Sequence, residues 1–115
     1  MDELRPKLQW GASLWAFIHT ITVVDSTDPH TVERMSLPCM ANLRALTDSI
    51  PCHRCADTYR AHLALLPDPG SGPLKAMALF EWGWKVHNAV NAKLGRPEMT
   101  YEDAVAAWAF SLGGC

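Results

Sequence analysis

The residues with the most chemistry in this sequence sit in one pentapeptide, Pro51-Cys52-His53-Arg54-Cys55. A C-x-x-C spacing lets two sulfurs on the first turn of a helix meet in a short, reducible disulfide. Pro51 in front and a helical run behind place both sulfurs near a helix N-terminus. There, unpaired N–H groups and the macrodipole favour a thiolate, and Arg54 adds a positive charge. Thioredoxin-like folds and structural zinc sites use the same spacing. The first needs βαβ units, and this chain offers no credible strands. The second needs another ligand pair from His53, His62, His87, Cys39 or Cys115, and none of these forms a C-x-x-C or an H-x₃₋₅-H pair. Two free thiols in a buried turn is the plainest reading, and the pentapeptide alone leaves it open.

Trp84, His87, Asn88 and Asn91 fall at i, i+3, i+4 and i+7, on one face of one helix. A solvated face carries Lys and Glu, and a core face carries Leu, Ile and Val. An indole, an imidazole and two carboxamides together suit a planar polar ligand, with Lys93 at the helix end placed for a phosphate. Trp15 and His19 make a similar i, i+4 pair, and Trp108 offers a further ring. Taken singly, each tryptophan is core filler and each His or Asn an ordinary core or surface group. Taken with a redox C-x-x-C, the set suggests a bundle holding a flavin, its isoalloxazine beside the disulfide and its adenine among aromatic and imidazole groups.

The elements that must position these residues are all predicted to be helices, because no segment shows sustained period-two alternation. The first runs from Trp10 to about Val24, with Leu14, Phe17, Ile18 and Ile21 as its apolar face. The second spans about Val32 to Ser49 with a stripe of Met35, Cys39, Leu43, Leu46 and Ile50; Pro38 marks either its true start or a kink within it. A third begins at the cysteine turn and ends near Leu66, before a Pro- and Gly-rich loop from Pro67 to Pro73. The fourth runs from about Leu74 to Leu94, stopped by Gly95 in the left-handed conformation and then Pro97. Thr100 with Asp103 resembles a capping box and opens a fifth, shorter helix to about Leu112, followed by a tail over 113–115 expected to be flexible.

Composition sets the outer bounds. A chain of 115 residues, 49% hydrophobic and 19% charged, reads as a single domain spanning 1–115. Its net charge of -2 with no basic cluster argues against nucleic acid. The longest uncharged stretch, Leu8 to Val24, is shorter than the ~20 apolar residues of a membrane span, and the acidic, proline-containing start is unlike a secretory signal. Five tryptophans are many for a domain this small, unless some face a ligand.

Four blocks, in order, resemble the Erv/ALR family of flavin-linked sulfhydryl oxidases across nearly the whole chain. They are Trp10-Gly11 with Trp15 and His19, then Pro51-Cys52-x-x-Cys55, then His87-Asn88-x-Val90-Asn91-x-Lys93-Leu94-Gly95-Arg96-Pro97, and finally Trp108. The third block is the most specific. The resemblance implies an all-α fold, an FAD-binding four-helix bundle with a short fifth helix, commonly a homodimer. It implies oxidation of dithiols in protein substrates, with electrons passed through the C-x-x-C disulfide and FAD to molecular oxygen to give hydrogen peroxide. By the same resemblance Cys52 is the distal cysteine that meets substrate and Cys55 the flavin-proximal one. Gly11, Trp15, His19, Cys55, His87, Asn88, Val90, Asn91, Lys93, Leu94 and Trp108 are implied to bind FAD, and no metal is expected.

Two departures stand out. Val23-Val24 replaces an aromatic residue often found after the first helix in cellular members. Trp84 and Tyr101 occupy the positions of a structural disulfide that ties the fourth helix to the start of the fifth in those members, so packing must do that work here. The missing bridge, the compact length and the early Trp-Gly-x-x-x-Trp make the chain similar to the minimal oxidases of large cytoplasmic DNA viruses. That similarity implies action in a reducing cytoplasm on virion proteins. Cys115 lacks a second cysteine for a shuttle pair, because Cys39 falls on the apolar stripe of the second helix, and substrates are expected to reach Cys52 directly. The alternative from another class is a non-enzymatic helical interaction module whose C-x-x-C binds zinc or is structural.

Overall fold

The computed structural model describes residues 10–24, 26–66 and 77–109. Every regular element in these residues is helical, as the sequence pattern requires. They are α1 (Trp10–Ile21), α2 (Pro29–Ala45) with a 3₁₀ turn behind it (Leu46–Ser49), α3 (His53–Leu63), α4 (Ala78–Lys93) and α5 (Tyr101–Ala104), which runs on into a π-helical turn (Val105–Ala109). The expected start of the fourth helix at Leu74, the loop from Pro67, the end of the fifth helix near Leu112, the tail and Cys115 lie outside the described residues.

Local chemistry explains the boundaries. The second helix starts earlier than predicted, because Pro29 fits its first position and the Asp28 side chain accepts the Thr31 N–H at 3.0 Å and the Thr31 hydroxyl at 2.7 Å. Pro38 sits inside α2 and not at its start, on the exposed side where its missing N–H is least costly. α1 is shorter than predicted: it stops at Ile21, and the buried Thr22 turns its hydroxyl back onto the Ile18 and His19 carbonyls at 2.8 and 3.1 Å. α4 ends as foreseen. Gly95 has φ of 70°, its N–H reaches the Ala92 carbonyl and the Arg96 N–H reaches that of Asn91, the double bond of a Schellman cap. Thr100 caps α5, its hydroxyl accepting the Asp103 N–H at 3.1 Å.

α4 packs against α3, α1 and α5, so the helix that carries the polar stripe is also the one that organises the core. Ile18 of α1, Leu43 of α2, Tyr59 of α3 and Leu79 and Val86 of α4 are buried together, and the Tyr59 hydroxyl donates to the Leu43 carbonyl. Two core assignments are overturned. Phe17 is 48% exposed and Met35 43% exposed. The buried line on α1 runs Leu14, Ile18, Ile21, which leaves Phe17 rotated by a helical step of about 100°. On α2 it enters through Val32 and Ser36, not Met35. Val24 is buried, so the aliphatic pair after α1 supplies core on at least one side chain.

Candidate functional site

Cys52 is itself the N-cap of α3: its Sγ accepts the Cys55 N–H at 3.2 Å. The two cysteines form a disulfide, with Cα atoms 5.2 Å apart. Cys52 is half-buried and Cys55 only 3% exposed, so an incoming thiolate meets Cys52 first. Once the bond opens, both sulfurs lie at the positive end of α3, where a thiolate is favoured. The intervening Arg54 donates through Nη2 to the Lys93 carbonyl at 3.4 Å. That contact satisfies one of the unpaired carbonyls at the end of α4 and ties the cysteine turn to the helix bearing the polar stripe.

The second half of the site is a nest of flat rings. Trp15 lies on His87 with centroids 4.1 Å apart and planes within 7°. His19 lies on Trp108 at 4.0 Å. The two stacks are joined by a hydrogen bond between His19 Nε2 and His87 Nδ1 at 2.8 Å, and Phe80 closes the back of His19 at 5.8 Å. Both imidazoles are held neutral. Burial, with His87 beside it, pushes His19 down to about 3; burial, with the Arg96 guanidinium beside it, pushes His87 down to about 4. One nitrogen of the pair therefore donates and the other accepts. The far nitrogen of His19, Nδ1, is buried without a hydrogen-bond partner. It faces Gly83 of α4, where an added Cβ would lie 3.7 Å from it.

Four flat rings around an unpaired buried imidazole nitrogen, with Lys93 and Arg96 exposed at the adjoining helix end, form a donor set that fits an aromatic dinucleotide such as FAD. Of the residues expected at such a site, Trp15, His19, His87 and Trp108 converge. Gly11 lies on α1 one turn before Trp15, Val90 and Asn91 are buried, and Lys93 and Leu94 are exposed. The Asn88 carboxamide is committed elsewhere: Nδ2 donates to the Met99 carbonyl at 2.8 Å and Oδ1 accepts the Met99 N–H at 2.9 Å. Trp84 donates to the same carbonyl at 2.9 Å and packs edge-on against Tyr101 at 5.4 Å. Sequence reasoning foresaw that packing between 84 and 101 must replace a disulfide. It did not foresee Met99, whose role is carried by backbone atoms that every residue type shares, nor Phe80 or Gly83.

A family model for the Erv1 / Alr family matches residues 12–109, and the chain belongs to that family. It is 26% identical over 99 residues to the probable FAD-linked sulfhydryl oxidase R368 of Acanthamoeba polyphaga mimivirus, covering 86% of this chain and 68% of that protein. It is 28% identical over 101 residues to the FAD-linked sulfhydryl oxidase ERV1 of Arabidopsis thaliana, and 26% identical over 103 residues to that of Oryza sativa subsp. japonica. These matches cover 85% and 89% of this chain. The chain spans about half the length of the plant proteins, 49% and 50%. No solved structure matches.

Proposed function

We propose that this chain is an FAD-dependent thiol oxidase that forms disulfides in protein substrates and delivers the electrons to molecular oxygen. The observation that carries the reading is the disulfide capping α3, with its outer sulfur accessible and its inner sulfur buried, in a member of the Erv1 / Alr family. A substrate thiolate attacks Cys52 Sγ; the disulfide breaks and Cys55 leaves as a thiolate, favoured by the helix N-terminus. A second substrate thiolate then attacks the mixed disulfide and releases Cys52. Two substrate sulfurs have been oxidised, and the pair has gained two electrons. When bound, FAD would supply the two-electron acceptor that returns the pair to its disulfide, with molecular oxygen as the final oxidant, reduced to hydrogen peroxide. Trp15, His19, His87 and Trp108 hold its flat ring systems, and Lys93 and Arg96 meet its phosphates. Gly11, Val90, Asn91 and Leu94 complete the set, whereas Asn88, expected in it from the family resemblance, spends its carboxamide on Met99.

Two finer elements belong to the same reading. The protein is a homodimer, supported by Phe17 on α1 and Met35 and Leu37 on α2, large apolar residues left exposed. It works in a thiol-reducing cytoplasm, supported by an α4–α5 junction held by Trp84, Tyr101 and Asn88 without sulfur. Among the described residues no helix is long and apolar enough to cross a membrane.

The rival reading, a zinc-binding or purely structural C-x-x-C, is separated by one preparation. The purified protein is expected to be yellow and to consume oxygen when given dithiothreitol. Cys55→Ser is expected to stay yellow while thiol-dependent peroxide falls by at least about 100-fold, the scale on which loss of an essential nucleophile acts. A colourless protein that releases zinc to a chelator would refute the assignment.

A further inference from the structure

The polar stripe of α4 contains two residues, Trp84 and Asn88, whose hydrogen bonds do not point at the ring nest. Asn88 is 9% exposed, and both ends of its carboxamide are taken by the backbone of Met99, in the segment between α4 and α5. The Met99 carbonyl receives a second donor, the indole of Trp84 one helical turn earlier. The next residue, Thr100, is the N-cap of α5, and Tyr101 at its first turn sits edge-on to both Trp84 and Phe80, at 5.4 and 6.0 Å. From there the chain runs through α5 and the π-helical turn to Trp108, which lies on His19 at 4.0 Å. His19 in turn bonds to His87, the neighbour of Asn88. A closed circuit therefore links Asn88, Met99, α5, Trp108, His19 and His87.

Each contact in that circuit is short-range, but together they set one long-range distance. α5 with its π-helical turn is only nine residues, too short to hold a fixed direction alone. Its first residues are held against α4 and its π-helical turn, with Trp108 near the far end, lies against α1, so the clamp at Met99 sets the direction in which the turn reaches α1. A peptide pinned by three hydrogen bonds from two buried or half-buried side chains of α4 has little freedom left, and the amide–peptide pair is bidentate, so it also fixes orientation.

We infer that Asn88 and Trp84 are positioning residues. They clamp Met99 so that α5 carries Trp108 onto His19, and Asn88 acts on the flavin site through that ring, not by touching the cofactor. This rests on the flavin reading above only for its consequence for cofactor retention; the clamp itself is a property of this chain.

The test uses purified protein, its Asn88→Ala and Trp108→Ala variants, and the double variant. Nuclear magnetic resonance follows exchange of the Met99 amide and the indole N–H signals, and flavin dissociation is followed separately by fluorescence of released FAD. Asn88→Ala is expected to speed Met99 amide exchange at least about tenfold and to move the Trp108 indole signal. It should weaken flavin retention about tenfold in the native background but less than about twofold when Trp108 is already alanine. Trp84→Phe keeps the edge contact with Tyr101 and removes only the N–H donor; it should move the same Trp108 signal in the same direction, and it serves if Asn88→Ala does not fold. An unchanged Met99 rate and Trp108 signal, or losses of retention that simply add in the double variant, would overturn the proposal in favour of direct contact. If the native protein proves to hold no flavin, the function proposed above fails, while the Met99 rate and the Trp108 signal still decide the clamp.

Discussion

Cysteines of one sequence can have opposite chemistry, and position decides which. Cys52 and Cys55 stand at a helix N-terminus, whereas Cys39 is buried among apolar side chains and donates its S–H to the Ile21 carbonyl at 3.3 Å. Burial pushes the Cys39 thiol up to about 11. It is therefore expected to resist iodoacetamide at pH 8 in the folded protein by at least about 100-fold relative to the same protein in denaturant, since the thiolate is the reacting form. Mass spectrometry of labelled peptides reads this directly, and rapid native labelling at Cys39 would contradict it. This contrast was legible from sequence. A stripe through Cys39 and Leu43 is local information, and so is C-x-x-C. The hydrogen bond between His19 and His87 was not, because it joins residues 68 apart and depends on the rotation of two helices about their axes. Sequence spacing placed both imidazoles on the right faces but could not bring the faces together.

Among the elements, those with a local cause were predicted well. The stop of α4 follows from glycine's freedom at positive φ, and the start of α5 from a threonine hydroxyl. Replacing Gly95 with alanine is expected to cost about 1 kcal/mol of stability, because a side chain at φ of 70° is strained even though nothing stands within 4 Å of its Cβ. Urea unfolding should show a lower midpoint with an unchanged slope; an unshifted midpoint would mean that the Schellman cap does not limit stability. Where the apolar stripe had to be phased over a long helix, the reading slipped. α2 enters the core through Val32 and Ser36, a β-branched residue and a small polar one whose hydroxyl is absorbed by the Val32 carbonyl at 2.6 Å. Hydrophobicity alone favours Met35 on that side, but Ser36 can be buried there because its hydroxyl is satisfied within the helix, while Met35 is left exposed. The contact between Trp84 and Tyr101 was legible only as a need for packing; the shared Met99 carbonyl that completes it was not.

The whole molecule carries a pH dependence written by the ring nest. His19 and His87 join α1 to α4, and Trp108 adds the turn after α5, so their ionisation bears on the assembly of these elements and not on a single loop. In the folded protein they titrate at about 3 and about 4, both lowered first of all by burial. In the unfolded chain both titrate near 6.5. The unfolded state therefore binds more protons at every pH between those values. The stability due to neutral, buried imidazoles is fully present above about 6.5 and is lost as pH falls toward the folded values. Between pH 7.5 and 5.5 the fully buried His19 accounts for a loss of about 1.4 kcal/mol, and the half-buried His87, screened by water, for less. Other shifted groups do not blur this window. The Asp28 carboxyl, held below the usual range by hydrogen bonds from Thr31, loses its proton at lower pH, and the buried Cys39 and Tyr59 titrate far above it. Urea midpoints at fixed salt and fixed flavin concentration are expected to fall from pH 7.5 to 5.5, and the drop should shrink in His19→Gln, which keeps a polar group without a titrating one. Equal midpoints at the two pH values, or an undiminished drop in the variant, would show that the imidazole pair is not what couples this fold to protons.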